Sequence, residues 1–312
     1  MTIPLQPILV IMVWRGGARL ERCLRSLTFS QKHFSRILVS VTSEEHSDDL
    51  RIARAFAVAH PKVEVICTGT ELPTMQHQKF WIDYLERTGT RPTDWIYWLA
   101  YDDQVRLSGI EAIVDAAGAW PLVHGTAYFG PWAMRHESAD RLFDGSQDEP
   151  LESWTCFPSN GPTRLPVLEW IREQMKQPTY MQMSGSVCPF ESFQALRDSR
   201  PTKTGPMRIE MATASAPPSQ YVQEFPSPVS IIYGRSNSDR ANYGHAARKE
   251  DVHLALWLAQ FVRRSPSQWR QLAAIGGAVA TTYAQALIHR SGLPQEQWRV
   301  RGLVPPEVPD QS

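Results

Sequence analysis

Residues 95–105 read WIYWLAYDDQV: seven aromatic or aliphatic residues followed directly by two aspartates. A run of strand length with no polar side is the pattern of a strand buried on both faces. Two adjacent carboxylates at the end of such a strand repel each other and require compensation by solvent or by a cation. The stretch therefore raises two expectations, a sheet covered on both sides and a charged site at its edge.

The same strand type recurs upstream. ILVIMVW (8–14), RILVSVT (36–42) and VEVIC (63–67) are apolar runs bounded by polar segments. Helical patterns separate them. In ARLERCLRSLTF, Leu20, Cys23, Leu24 and Leu27 fall at i, i+3, i+4 and i+7. LRIARAFAVAH, QHQKFWIDYLERTG with Gly89 as its stop, and GIEAIVDAAGAW complete the set. Strict alternation of strand and helix predicts an α/β layer on a mostly parallel sheet. Right-handed crossovers bring the C-terminal strand ends to one rim, where ligands of open sheets bind. The segments RGG, SEEHSDD and YDDQ each follow one of these strands, so their charges are expected at one cleft.

Beyond residue 120 the alternation breaks. TAYFGPW (126–132) reads as a strand and 136–166 as a long loop of the kind that often carries function. MQMSGSVCPFESFQALRD reads as a strand or turn leading into a helix with Pro189 near its start. MRIEMATASA reads as a short helix, SPVSIIYGRSNSD as a strand running into a polar loop, and 249–292 as two helices.

Composition excludes several classes. The 312 residues carry 32 Lys+Arg and 32 Asp+Glu, so no basic excess points to nucleic acid. Cys23, Cys67, Cys156 and Cys188 form no CxxC pair, which argues against a metal cluster or disulfide framework and for a reducing compartment. The N-terminus lacks a basic n-region and reads as a first strand rather than a signal peptide. The least polar stretch, 272–288, contains Thr, Tyr and Gln and is too mixed for a membrane span. A cytoplasmic protein is expected, with peripheral contact at the inner face of the membrane left open. The 11 tryptophans are a weak pointer to sugar stacking.

Asp102 and Asp103 offer the hard oxygen ligands that Mg²⁺ and Mn²⁺ prefer; the alternative is a solvated loop with Asp103 capping the next helix. In order and spacing, MVWRGGARLERCLRSL, the acids after the second strand and WIYWLAYDD resemble the nucleotide-sugar half of a GT-A fold glycosyltransferase of family 2. The resemblance extends to about residue 245 and is strongest over 8–105. It implies a GT-A domain over 1–245, with a nucleotide-sugar half (1–120) and an acceptor half (121–245). A C-terminal helical extension (246–300) and a flexible tail (301–312) would follow.

The resemblance implies residue roles as well. Trp14 stands in the place of the family's loop aromatic, beside Arg15, and Glu44 or Glu45 would meet the nucleoside. Lys79 stands near the place of the family's Arg-Asn pair in nucleotide-sugar binding, with a solvated lysine as the alternative; Arg235 would face the diphosphate, and Asp102 and Asp103 would hold Mg²⁺ or Mn²⁺. MSGSVCPFESFQAL matches the acceptor segment through Ser184 and Gly185. Glu210 is nominated as catalytic base by chain order, with Asp251 of the Glu250–Asp251 pair as the alternative; acids in a first helical turn also simply favour the helix dipole. Trp132 and Trp154 are candidates for stacking on a sugar. The implied reaction is inverting transfer from a UDP-, dTDP- or GDP-linked sugar to a saccharide or lipid-linked saccharide, in cell-surface polysaccharide or glycolipid synthesis.

The chain also departs from that pattern. Ala100 and Tyr101 replace the first acids of the family's aspartate cluster, and Met12 and Val13 replace the Pro-Thr of its first loop. Two rival readings stand beside the resemblance. RGGARL echoes the phosphate loop of sugar-phosphate nucleotidyltransferases but lacks its second glycine. The reduced acid cluster also suits an inactive binding protein on the same scaffold.

Overall fold

The computed structural model describes residues 5–137, 152–154, 164–176, 184–198, 213–235, 269–270, 272–277 and 280. Strands β1 (Ile8–Val13), β2 (Arg36–Val41), β3 (Val63–Cys67) and β4 (Trp95–Ala100) alternate with helices α1 (Ala18–Ser30), α2 (Asp48–Ala59) and α3 (Thr74–Arg87). The strands lie parallel in the order β3-β2-β1-β4. Strand order reverses at β1, so the C-terminal ends of β1 and β4 flank the switch point where open α/β sheets bind ligands.

Alternation along each strand explains the two cores. Ile8, Val10 and Met12 of β1, with Ile96 and Trp98 of β4, face one side. There they meet Trp81, Ile82 and Leu85 of α3. Leu9, Ile11 and Val13, with Trp95, Tyr97 and Leu99, face the other and meet Leu20, Cys23, Leu24 and Leu27 of α1. The expected helical face of α1 is thus the buried one. Gly89, at φ 87, ends α3, and the Thr90 N–H closes it on the Leu85 carbonyl.

The next helix stops earlier than its sequence pattern. α4 (Leu107–Ala117) breaks at Gly118, which adopts φ 73, so Ala119 and Trp120 lie beyond it. Between β4 and α4 runs the two-residue strand β5 (Gln104–Val105).

The second half extends the sheet and adds another. β6 (Thr126–Phe129), β9 (Arg164–Pro166), β10 (Ser186–Pro189) and β11 (Tyr221–Glu224) complete an eight-stranded sheet, with β10 antiparallel to β4. Helices α5 (Val167–Lys176) and α6 (Phe190–Asp198) cover the α3 face. β5, β12 (Ser230–Arg235), β7 (Trp132–Glu137) and β8 (Glu152–Trp154) form a separate four-stranded sheet. Two short strands, β8 and β9, therefore stand inside the stretch expected to be loop. Of the expected 207–216 helix, 213–215 is one helical turn. Leu272 and Ile275, from the expected C-terminal extension, join the α3-side core.

One buried titratable group gives the fold a pH signature. His77 of α3 is 2% exposed, with its Nε2 2.8 Å from Ser40 Oγ on β2. Burial pushes its imidazole from the ordinary 6.5 down to about 4. Above pH 6.5 both folded and unfolded chains hold it neutral; below that value the unfolded chain takes up the proton first, so stability is lost as pH falls. The loss amounts to about 3 kcal/mol by pH 4. Urea unfolding at several pH values between 7.5 and 4.5 should show His77→Gln losing less stability over this window than the wild type. Parallel pH profiles would exclude His77 as the titrating group.

Candidate active site

The site begins where β4 ends. Asp103 N–H donates to the Ala100 carbonyl at 3.1 Å, closing a tight turn over Tyr101 and Asp102. The turn sends the two acids to different surroundings. Asp103 is 4% exposed, with both carboxylate oxygens satisfied from inside the protein. Oδ1 accepts the Tyr233 N–H at 3.0 Å and Oδ2 accepts the Ser184 hydroxyl. Burial first, and then the neighbouring Asp102 charge, raise the Asp103 carboxyl above the usual carboxylate range. The hydrogen bonds from Ser184 and Tyr233 and the Arg22 charge oppose that rise. Asp102 is half-buried.

Ser184 and Gly185 lock this turn. The Ser184 hydroxyl accepts the Ala100 N–H at 3.0 Å while donating to Asp103, and its carbonyl accepts the Ser230 hydroxyl at 3.0 Å. Gly185 holds φ 85 and donates its N–H to the Trp98 carbonyl. A Cβ at Gly185 would lie 2.6 Å from Ser230 Oγ, so both the backbone and the packing demand glycine. Ser184 is 6% exposed, which makes it a buried strut of the acid turn.

The rim beside this turn is stitched by backbone and hydroxyl bonds. Thr42 N–H donates to the Val13 carbonyl, Thr68 N–H to the Val41 carbonyl and Leu72 N–H to Thr42 Oγ1. The loops after β1, β2 and β3 therefore meet as the alternation predicts. Between them lies a pocket of about 340 Å³ lined by Arg15, Gly17, Thr42, Ser43, Ser47, Asp48, Asp49 and Glu71. Ser47 caps α2 through the Leu50 N–H.

Asp49 is the residue that sequence reasoning missed. It is 7% exposed, and its carboxylate accepts the N–H groups of Gly16 and Gly17, both at 2.8 Å. It thereby fixes the RGG loop in front of α1. Gly16 is needed there because a Cβ would lie 2.8 Å from Leu20 Cβ and 3.0 Å from Tyr101. Arg15, at φ 51, forms a two-point ion pair with Glu71 at 3.0 and 3.1 Å across the mouth of the pocket. This hydrogen-bonded pairing holds the Glu71 carboxyl below its usual range.

The other expected residues fall into three groups. Trp14 is 50% exposed beside Arg15, and Glu44 and Glu45 are exposed in the loop after β2, next to the pocket-lining Ser43. Lys79 is placed on the outer face of α3, its ammonium paired with Asp83 at 2.5 Å. Trp132 and Trp154 are register partners on β7 and β8, and Arg235 pairs in register with Glu137 on β7. Glu210, Glu250 and Asp251 lie outside the described residues. Among the described residues, no group of three or more His, Cys, Asp or Glu side chains is placed to hold a metal ion.

No protein-family model and no curated protein sequence matches this chain. Solved structures do. S. aureus TarS 1-349 superposes with a TM-score of 0.57 at 9% identity over 94% of this chain and 78% of its own. The same TarS fragment in complex with UDP-GlcNAc gives 0.50 at 11% identity, covering 89% of this chain and 81% of that one. GalNAc-T7, solved with UDP, GalNAc and Mn²⁺, gives 0.51 at 10% identity, over 83% of this chain and half of that one. These neighbours are GT-A glycosyltransferases. The chain has the GT-A fold. The expected mostly parallel central sheet flanked by helices is the observed one.

Two substitutions test this geometry. In Asp49→Asn the amide would set an N–H against one of the two glycine N–H donors, leaving it unsatisfied. A loss of about 1–3 kcal/mol in urea unfolding is expected; a variant as stable as wild type would show that the loop is held otherwise. Gly185→Ala should cost at least as much, because strain and a clash add; a change under about 0.5 kcal/mol would contradict the fit at Ser230.

Proposed function

We propose that this chain is an inverting glycosyltransferase that moves a sugar from a nucleotide diphosphosugar to an acceptor hydroxyl. One observation carries the reading. A half-buried acid, Asp102, follows β4 at the switch point of a GT-A sheet, and the loops after β1, β2 and β3 on the same rim build a polar pocket. TarS has been solved with UDP-GlcNAc and GalNAc-T7 with UDP and Mn²⁺, which supports a donor of this class and a divalent ion.

In this reading the nucleoside occupies the pocket. Thr42 and Ser43 supply hydroxyls, Glu44 or Glu45 accepts from base or ribose, and Trp14 covers one side. Arg15 reaches the donor by exchanging Glu71 for it, and Lys79 does so only by leaving Asp83. Arg235 is assigned to the diphosphate. Trp132 and Trp154, register partners in the second sheet, are assigned to sugar stacking, and Ser184 and Gly185 to the acceptor side.

The donor set near the turn fits a hard divalent ion held by one carboxylate. Asp103 has both oxygens engaged by interior groups, so in this reading Asp102 would be the principal protein ligand, and the donor's diphosphate would contribute further oxygens. Mg²⁺ or Mn²⁺ bound there would neutralise charge on the departing diphosphate. Glu210, or Asp251 in its stead, removes the acceptor proton as the hydroxyl attacks the anomeric carbon from the face opposite the diphosphate, which inverts that centre. Among the described residues no helix is long and apolar enough to cross a membrane. A cytoplasmic enzyme acting in cell-surface polysaccharide or glycolipid synthesis, in contact with the inner membrane face, accords with that.

The test is a donor screen. Purified protein with UDP-, dTDP- and GDP-sugars and Mn²⁺ should release nucleoside diphosphate, and Asp102→Asn should cut that release about a hundredfold or more. Glu210→Gln should lower kcat by a similar factor with the nucleotide affinity kept. If Asp251→Asn does so instead, the base is Asp251. Nucleotide binding without any turnover would favour the binding-protein reading, and release of pyrophosphate from a nucleoside triphosphate and a sugar phosphate would favour a nucleotidyltransferase.

A further inference from the structure

A buried arginine lies directly beneath the acid turn. Arg22, in the second turn of α1, is 2% exposed, an unusual burial for a guanidinium. Its Nη2 donates to the Asp102 carbonyl at 2.7 Å. Its plane sits over the Tyr233 ring, 3.5 Å from the centroid. The Tyr233 N–H is the group that holds Asp103 Oδ1. The Tyr233 hydroxyl donates to Gln104 Oε1 at 2.5 Å, and Gln104 Nε2 donates back to the Arg22 carbonyl at 3.4 Å.

This network grips the peptide between Asp102 and Asp103 on both sides. On one side the guanidinium holds the Asp102 carbonyl. On the other the Asp103 carboxylate is anchored to Tyr233 and Ser184. A charged, planar donor buried at this cost has a task that an aliphatic residue could not perform: it fixes the orientation of one carbonyl. Fixing the backbone of a metal-binding acid is what outer partners of metal ligands do, and their loss typically weakens metal affinity about 10–100-fold.

We propose that Arg22, seated on Tyr233, is a positioning residue that aims Asp102 at the divalent ion of the donor complex. The proposal rests on the transferase reading given above. It assigns no contact between Arg22 and the nucleotide.

The experiment is calorimetric titration of UDP into the protein with and without Mn²⁺, read as the ratio of the two affinities. Wild type should bind UDP more tightly with Mn²⁺. Arg22→Lys keeps the charge but loses the planar fork and its stack; its ratio should fall about tenfold, with metal-free UDP affinity unchanged. Tyr233→Leu, which removes the platform and leaves Arg22 in place, should lower the ratio in the same direction and keeps the test open if Arg22→Lys does not fold. An unchanged ratio in the folded variants overturns the proposal. So does an equal loss of metal-free and metal-bound affinity, which marks a merely structural role. A wild type whose UDP affinity ignores Mn²⁺ overturns both this proposal and the metal-assisted reading beneath it, which tells the two failures apart.

Discussion

The burial of the Asp103 carboxylate is the constraint on which the rest of the site depends. A carboxyl removed from water is costly unless each oxygen is hydrogen-bonded. Here one oxygen takes a backbone N–H from β12, the other takes a hydroxyl from the residue two before β10, and Arg22 stands close by. Asp103 thus ties together three segments far apart in sequence: the end of β4, the start of β10 and the middle of β12. It also marks the point where the chain leaves the eight-stranded sheet and enters the four-stranded one through β5.

That placement accounts for the aromatic strand running into two acids. The strand must be apolar because helices cover both faces of the sheet. The acids need not share a role, because a tight turn separates them. Asp103 is turned into the joint between the sheets, while Asp102 is only half-buried. Asp49 repeats the device on the neighbouring loop, where a buried carboxylate takes two consecutive N–H groups and fixes the backbone in front of α1. Both loops are therefore shaped by carboxyl groups facing inward, while Asp102 is half-buried and Glu44, Glu45 and Glu71 are exposed.

The first four strands and their helices were legible because both carry a long-range period. Leu20, Cys23, Leu24 and Leu27 repeat at helical spacing, and the β1 and β4 runs are apolar without a break. The second half was less legible for physical reasons. β5, β8 and β9 are two or three residues long, too short to display alternation, and are held by register partners remote in sequence. Asp49 hid within SEEHSDD because a charged run does not reveal which member turns inward; that depends on where Gly16 and Gly17 present their amides. Asp102 and Asp103 likewise look equivalent as letters, and only the chain reversal after Ala100 separates them. Nothing in the spacing of α1 marks Arg22, whose burial depends on Tyr233, remote in sequence, lying against it.

The division of labour between the two adjacent acids is tested most directly by a crystal structure of the protein with UDP and Mg²⁺. An Asp102 carboxylate oxygen about 2.1 Å from the ion, with Asp103 still held by Ser184 and the Tyr233 amide, is the arrangement this account predicts. Asp103 released from those partners and bound to the ion, or UDP bound with no ion at the turn, would contradict it.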